Sequence, residues 1–204
     1  MAAIVIALAL VLLTGFVAWF FTSPTPAPSV LRTVQLTHFG VEGNQIVTDG
    51  PQIYFVAAAV GHYGLAQVWV SGGEAVPIAT PFPNVKLFDI SPDHAELLVG
   101  SFTGTEVEMP LWTVPASGGS PRRLGNVAGH SGAWSPDGQR IVSLRRPTLY
   151  LINRDGSWSP ELATAPGKPW QPRWSPDGRL RRCSARPLCL RSFGRRLICT
   201  RVTG

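Results

Sequence analysis

The sequence predicts an all-β chain: a partial β-propeller of about three four-stranded blades plus an orphan closing strand, following one N-terminal transmembrane helix. Three observations predict it. A five-residue phrase recurs as Ile90-Ser91-Pro92-Asp93-His94, Trp134-Ser135-Pro136-Asp137-Gly138 and Trp174-Ser175-Pro176-Asp177-Gly178, its aspartates 44 and 40 residues apart. A period of this size marks an array of equal supersecondary units, and four short strands in about 40 residues is the content of one propeller blade. The third observation is a long uncharged run at the N-terminus.

That run comes first in the chain. Residues 1–21 are expected to form the helix, because Ala2 to Phe21 carries no charge and about 20 residues at ~1.5 Å each span a bilayer. The lipid bilayer is therefore the expected partner of residues 2–21. Trp19, Phe20 and Phe21 cluster at its end, as interfacial aromatics do. A cleaved signal peptide would need a basic n-region, yet no Lys or Arg precedes Arg32. The same lack of basic flanks leaves the orientation unassigned and suggests that Met1 is internal to a longer protein. Residues 22–32 follow as a Pro-rich linker, extended and semi-rigid.

The blades are expected over residues 33–178. Around Leu36 the run Thr33-Val34-Gln35-Leu36-Thr37 resembles the last strand of a unit whose earlier strands are missing, half of a ring closure that would pair the two termini. Blade 1 is expected at about 45–80. It opens on Thr48-Asp49-Gly50, then Gln52-Ile53-Tyr54-Phe55-Val56, Val68-Trp69-Val70 and the turn Ser71-Gly72-Gly73-Glu74.

Blade 2, at about 86–126, repeats the order with Leu97-Leu98-Val99, Leu111-Trp112-Thr113-Val114 and Ser117-Gly118-Gly119-Ser120. Blade 3, at about 131–165, has Ile141-Val142, Leu149-Tyr150-Leu151-Ile152 and Arg154-Asp155-Gly156-Ser157. A fourth begins at about 170–178. In each phrase proline presets φ, aspartate tolerates the second turn position and glycine accepts positive φ. His94 replaces that glycine mildly, since histidine is enriched there.

These Trp-Ser-Pro-Asp-Gly turns, with a Leu-Tyr or Leu-Trp strand and a Gly-Gly turn, resemble the WD40-like PD40 repeats of the TolB propeller family. The resemblance covers roughly residues 33 to 178. The membrane segment, Pro-rich spacer and repeats together resemble bacterial membrane-anchored winged-helix/PD40 regulators, which implies an extracytoplasmic propeller at the bacterial inner membrane. No residue here matches the DNA-binding domain of those regulators.

The net charge of +6 invites a nucleic-acid reading, but its location takes the blades out of that reading, and no nucleic-acid contact is expected from them. Residues 22–178 hold 10 Lys/Arg against 12 Asp/Glu, whereas residues 179–204 hold eight arginines and no acid. All three cysteines (Cys183, Cys189, Cys199) lie in that basic tail, and their spacing is not that of a zinc site. Three readings of residues 179–204 stay open: a reading-frame disruption or fragmentary gene model, a divergent blade, or a basic tail for nucleic acid or a membrane surface. Propeller-like sequence in another frame of the same DNA would decide for the first. Three blades and a fragment fall short of the four that a closed ring requires, so the chain looks like a fragment.

The search for chemistry returns little. Gly129-His130-Ser131-Gly132-Ala133 misses the Gly-x-Ser-x-Gly elbow at its last position. His38, His62, His94 and His130 lack short metal-ligand spacing. Glu106 and Glu108 are expected in a solvated loop, Asp93, Asp137 and Asp177 as turn formers, and Trp69, Trp112, Trp134 and Trp174 as packing between blades. No catalytic, cofactor-binding or metal-ligating residue is assigned and no cofactor is expected. The expected function is a non-catalytic sensor or protein-interaction module, with an unidentified protein or small ligand on the propeller. Two alternatives remain: the propeller part of a prolyl-oligopeptidase-like hydrolase lacking its catalytic domain, and a TolB-like periplasmic scaffold.

Overall fold

A computed structural model describes residues 4–6, 12–16, 19, 46–59, 62–164 and 171–182. In the N-terminal unit residues 4–6, 12–16 and 19 are helical. Among the described residues no helix is long and apolar enough to cross a membrane. Most of the expected span 2–21, the linker 22–32, the strand around Leu36 and residues 183–204 lie outside the described residues.

The second unit is built of β-hairpins. β1 (Ile46–Thr48), β2 (Gln52–Ala59), β3 (His62–Trp69) and β4 (Val76–Ile78) form an antiparallel meander. β5 (Asn84–Ile90), β6 (Glu96–Phe102), β7 (Met109–Pro115) and β8 (Arg122–Gly129) form a second. A third holds β9 (Ser131–Trp134), β10 (Arg140–Arg145), β11 (Thr148–Asn153) and β12 (Trp158–Thr164). A final hairpin pairs β13 (Arg173–Trp174) with β14 (Leu180–Arg182). Strand β14 thus carries the pattern four residues into the stretch that composition assigned to the basic tail. This is a partial β-propeller, with β5 lying close to β1 and to β9, and β9 to β13. The first strands of successive blades therefore line the axis.

Why the blades stack follows from the pleat. Successive side chains point to opposite faces of a strand, and here both faces are apolar. In β6, Leu97 and Val99 join Tyr54, Val56, Leu65 and Ile78 of the first blade, whereas Leu98 between them joins Trp134, Ile141 and Ile152 of the third. In β10, Ile141 faces back to the second blade while Val142 and Leu144 pack with Trp174 and Leu180 of the fourth hairpin. At an apolar-surface value of ~25 cal/mol per Å², these seams are the main stabilising term.

The repeated turn adds a polar lock. Ser135 is buried, yet its hydroxyl donates to Asp137 Oδ1 at 2.6 Å and accepts the Arg140 N–H at 2.9 Å. Asp137 Oδ1 also accepts the Gln139 N–H at 3.0 Å. Ser91 and Asp93 repeat the arrangement at 2.5 Å, with the Glu96 N–H on Ser91 Oγ at 2.9 Å, and Ser175 donates to Asp177 likewise. His94 takes φ of 58°, matching 66° at Gly138 and 73° at Gly178. The first blade departs from this. Its Thr48 pairs with Ile53, so four residues reverse the chain where six lie between Ile90 and Leu97 or between Trp134 and Ile141. Asp49 there caps the Gln52 N–H at 2.7 Å.

Gly100 has a separate reason. A Cβ at that position would lie 2.9 Å from the ring of Phe88 and 3.1 Å from Met109. Gly100→Ala is therefore expected to cost roughly 1–3 kcal/mol by overpacking. Ser135→Ala is expected to cost about 1–2 kcal/mol because it strands a buried N–H. Amide hydrogen exchange checks both: Ser135→Ala should speed exchange at Arg140 and Ile141, leaving β2 and β3 unchanged.

Candidate functional site

In a four-stranded meander the first and third turns share one end and the second turn shares the other with the link to the next blade. The Ser-Pro-Asp turns thus sit at one end and the blade connections at the opposite end.

At the Ser-Pro-Asp end one arginine joins two blades. Arg154, in the β11–β12 turn, reaches Asp93 at 2.8 Å and Glu96 at 2.9 Å, and lies 5.4 Å over the Trp134 ring. Arg122 adds a second cation to Glu96 at 3.4 Å. The Asp93 carboxyl is held down at about 2, first by the Ser91 hydroxyl and then by the Arg154 guanidinium. Exposed ion pairs give about 0–1 kcal/mol each, so this network aligns blades more than it stabilises them.

Along the axis Asp89 links three blades. From β5 it accepts the Trp134 N–H of β9 at 2.8 Å and pairs with Arg173 of β13 at 3.2 Å. Burial pushes this carboxyl above its ordinary range, while the Arg173 charge and the Trp134 N–H pull the other way. Trp174 in turn donates its indole N–H to the Ala133 carbonyl at 3.3 Å.

The connection end holds the third group, in the seam between the second and third blades. Glu108 Oε1 is 3.0 Å from Nδ1 of the buried His130 and accepts the Arg146 N–H at 3.2 Å. Lys86 shares a face of β5 with Phe88, its ammonium 6.0 Å from that ring. Desolvation lowers the Lys86 pKa, and the charge of Arg146 from the neighbouring blade lowers it further. Nearby in the preceding seam the Tyr63 and Phe102 rings lie 6.2 Å apart, and Asn84 accepts the Tyr63 N–H at 3.0 Å.

Several sequence expectations change here. Glu106 is exposed and caps its own loop at Thr103 and Gly104, 2.7 and 2.6 Å away. Glu108 was expected in the same solvated loop, but the chain folds it onto His130 across the blade connection. Trp134, Trp112 and Trp174 pack in the seams. Trp69 does not: it ends β3 opposite Gln52 and is 54% exposed, whereas Trp112 sits in the middle of β7 opposite Val99. Ser131 begins β9, is 2% exposed and makes no hydrogen bond through Oγ among the described residues. A hydroxyl so enclosed has no access to a substrate. Among the described residues no three His, Cys, Asp or Glu side chains are grouped to hold a metal. The chemistry on offer is charge, presented where blades meet.

No family model matches this chain, and no curated protein matches it. Solved structures do. TolB from Acinetobacter baumannii is similar with a TM-score of 0.55 and 20% identity over 68% of this chain and 36% of that one. A putative TolB from Agrobacterium tumefaciens gives 0.54 and 20% over 64% of this chain and 48% of that one. The tricorn protease gives 0.50 and 13% over 67% and 14%. The chain thus spans less than half the length of each. At these identities the likeness establishes the propeller fold of TolB type and no more.

Opposite pH signatures are expected from Asp93 and Asp89. A folded-state value near 2 against an ordinary 3.8 means that Asp93 stabilises above pH 3.8 and that this is lost as pH falls toward 2. Asp93→Asn should thus lower stability at neutral pH and matter least near pH 2. Asp89, raised above 3.8, makes the fold lose stability as pH climbs through the interval above 3.8. Asp89→Asn should flatten that descent. Unfolding midpoints across pH 2–7 check both signs.

Proposed function

We propose that this chain is a non-catalytic β-propeller scaffold that binds a protein partner, in the manner that a TolB-like envelope propeller implies. The observation that carries the reading is the distribution of its polar groups. Charged side chains collect at seam ends where two blades meet, while the one serine resembling a nucleophile is enclosed in β9. Seam ends present groups from separate strands on a rigid frame, which suits recognition. The fold alone carries no activity, since similar blades occur in the tricorn protease and in an oligogalacturonate lyase bound to manganese. The two TolB structures weigh toward the scaffold. A second reading, an extracytoplasmic sensor tethered to a membrane regulator, is favoured by the uncharged run Ala2 to Phe21.

A photo-crosslinking residue in place of Tyr63 at the connection end, or of Asp137 at the opposite end, tests the scaffold in intact cells. Adducts with envelope proteins are expected from position 63 and few from 137. Absence of adducts at both, or a hydrolytic activity abolished by Ser131→Ala, would overturn it.

A further inference from the structure

We propose that the outer rim of the seam between the first and second blades, at the Ser-Pro-Asp end, binds a short acidic and apolar segment of a partner protein. Arg123 takes the carboxylate, and Trp69, Val76 and Trp112 take the apolar side chain beside it. This goes beyond the preceding reading, since it adds a second surface, at the end opposite Tyr63, and the chemistry that surface accepts.

The rim is assembled from the third turns of two blades. Trp69 precedes the turn Ser71-Gly72-Gly73-Glu74 and Val76 follows it, while Arg123 follows the corresponding turn Ser117-Gly118-Gly119-Ser120. The two-residue pleat puts the first-blade pair on the face toward the second blade. Val76 is two residues from Ile78 and Trp69 four from Leu65, and both Ile78 and Leu65 belong to the core of this seam. On the second blade Trp112 lies opposite Arg123 and packs against the same core, with the Phe82 ring 4.9 Å from its own. Toward the Ser-Pro-Asp end the seam opens, and Trp69 and Val76 stay exposed.

Arg123 supplies the charge. Its guanidinium lies 5.9 Å over the Trp112 ring, where the ring quadrupole attracts it. It is exposed and its five N–H donors have no acceptor among the described residues, whereas Arg122 beside it is paired with Glu96 at 3.4 Å. A guanidinium held on an aromatic ring is pre-organised for a carboxylate. An exposed ion pair is weak by itself, so binding draws on the exposed indole and valine as well. Strand addition is blunted on both sides. β4 has three residues with Pro77 in the middle, and the pairing of β8 shifts between Pro110 and Trp112, with Gly125 at φ of 54°; proline and bulges of this kind protect sheet edges. Recognition therefore falls to side chains. A nucleic acid fits less well, because Glu74 is exposed in the first-blade turn and residues 22–178 hold more acids than bases.

Fluorescence polarisation with the full chain in detergent tests this, using a labelled Glu-Phe-Glu-Leu-Glu-Phe peptide, its lysine-for-glutamate counterpart and an oligothymidine, each corrected for binding to detergent alone. The acidic peptide is expected to bind best, and more weakly as salt rises. Arg123→Glu is expected to weaken it at least about tenfold and to reverse the preference toward the lysine peptide; Trp69→Ala is expected to weaken both peptides by about tenfold. Both side chains are exposed, so unfolding midpoints should stay within about 2 °C of the parent. No binding by the parent, equal binding of the two peptides, tighter binding of oligothymidine, or unchanged affinity in Arg123→Glu would each overturn the site. Cross-links from position 63 persisting in Arg123→Glu would show that the scaffold contact is separate from this one.

Discussion

Every blade in this chain is a small twisted sheet with apolar side chains on both faces, and no such sheet can bury two faces without a neighbour on each side. That constraint orders the rest. Leu97 and Val99 need the first blade, Leu98 needs the third, and Val142 and Leu144 need the fourth hairpin. The first blade shows the same demand on its far side, where Phe55, Ala66 and Val68 gather away from the second blade. Stability therefore propagates from seam to seam, as it does in other repeat architectures.

Polar chemistry is confined by the same stacking. A sheet interior leaves no room for unpaired charge, so ionised groups sit at seam ends and along the axis, where strands of different blades converge. Arg154 spans the second and third blades at one end, Glu108 and His130 tie them at the other, and Asp89 spans three blades in the middle. Each is a tether first.

The turn chemistry was legible in the residues, since proline, aspartate and glycine act within one turn and need no distant partner. Its serine was less so. The sequence assigned Ser91 and Ser135 no role of their own, yet their hydroxyls are buried links between Asp carboxylates and backbone N–H groups. The candidate site was hardly legible at all. Glu108, His130 and Arg146 lie far apart along the chain, and nothing in their local spacing says that a loop and a connection meet. Trp69 misled for the converse reason: it follows Asp49 at nearly the distance at which Trp112 follows Asp93, but the hairpin between β2 and β3 is shorter than that between β6 and β7, which leaves Trp69 at the end of its strand.

By itself the sequence determined the period, the turn types, the alternation of apolar residues and so the kind of unit this chain repeats. These are properties of short segments, set by φ preferences and by the two-residue pleat. Only the tertiary structure decided which polar groups face which: Arg154 with Asp93, Asp89 with Arg173, His130 with Glu108. Those pairings depend on how one blade is rotated against the next, and that rotation is settled by packing across a seam whose two sides lie some 40 residues apart in the chain.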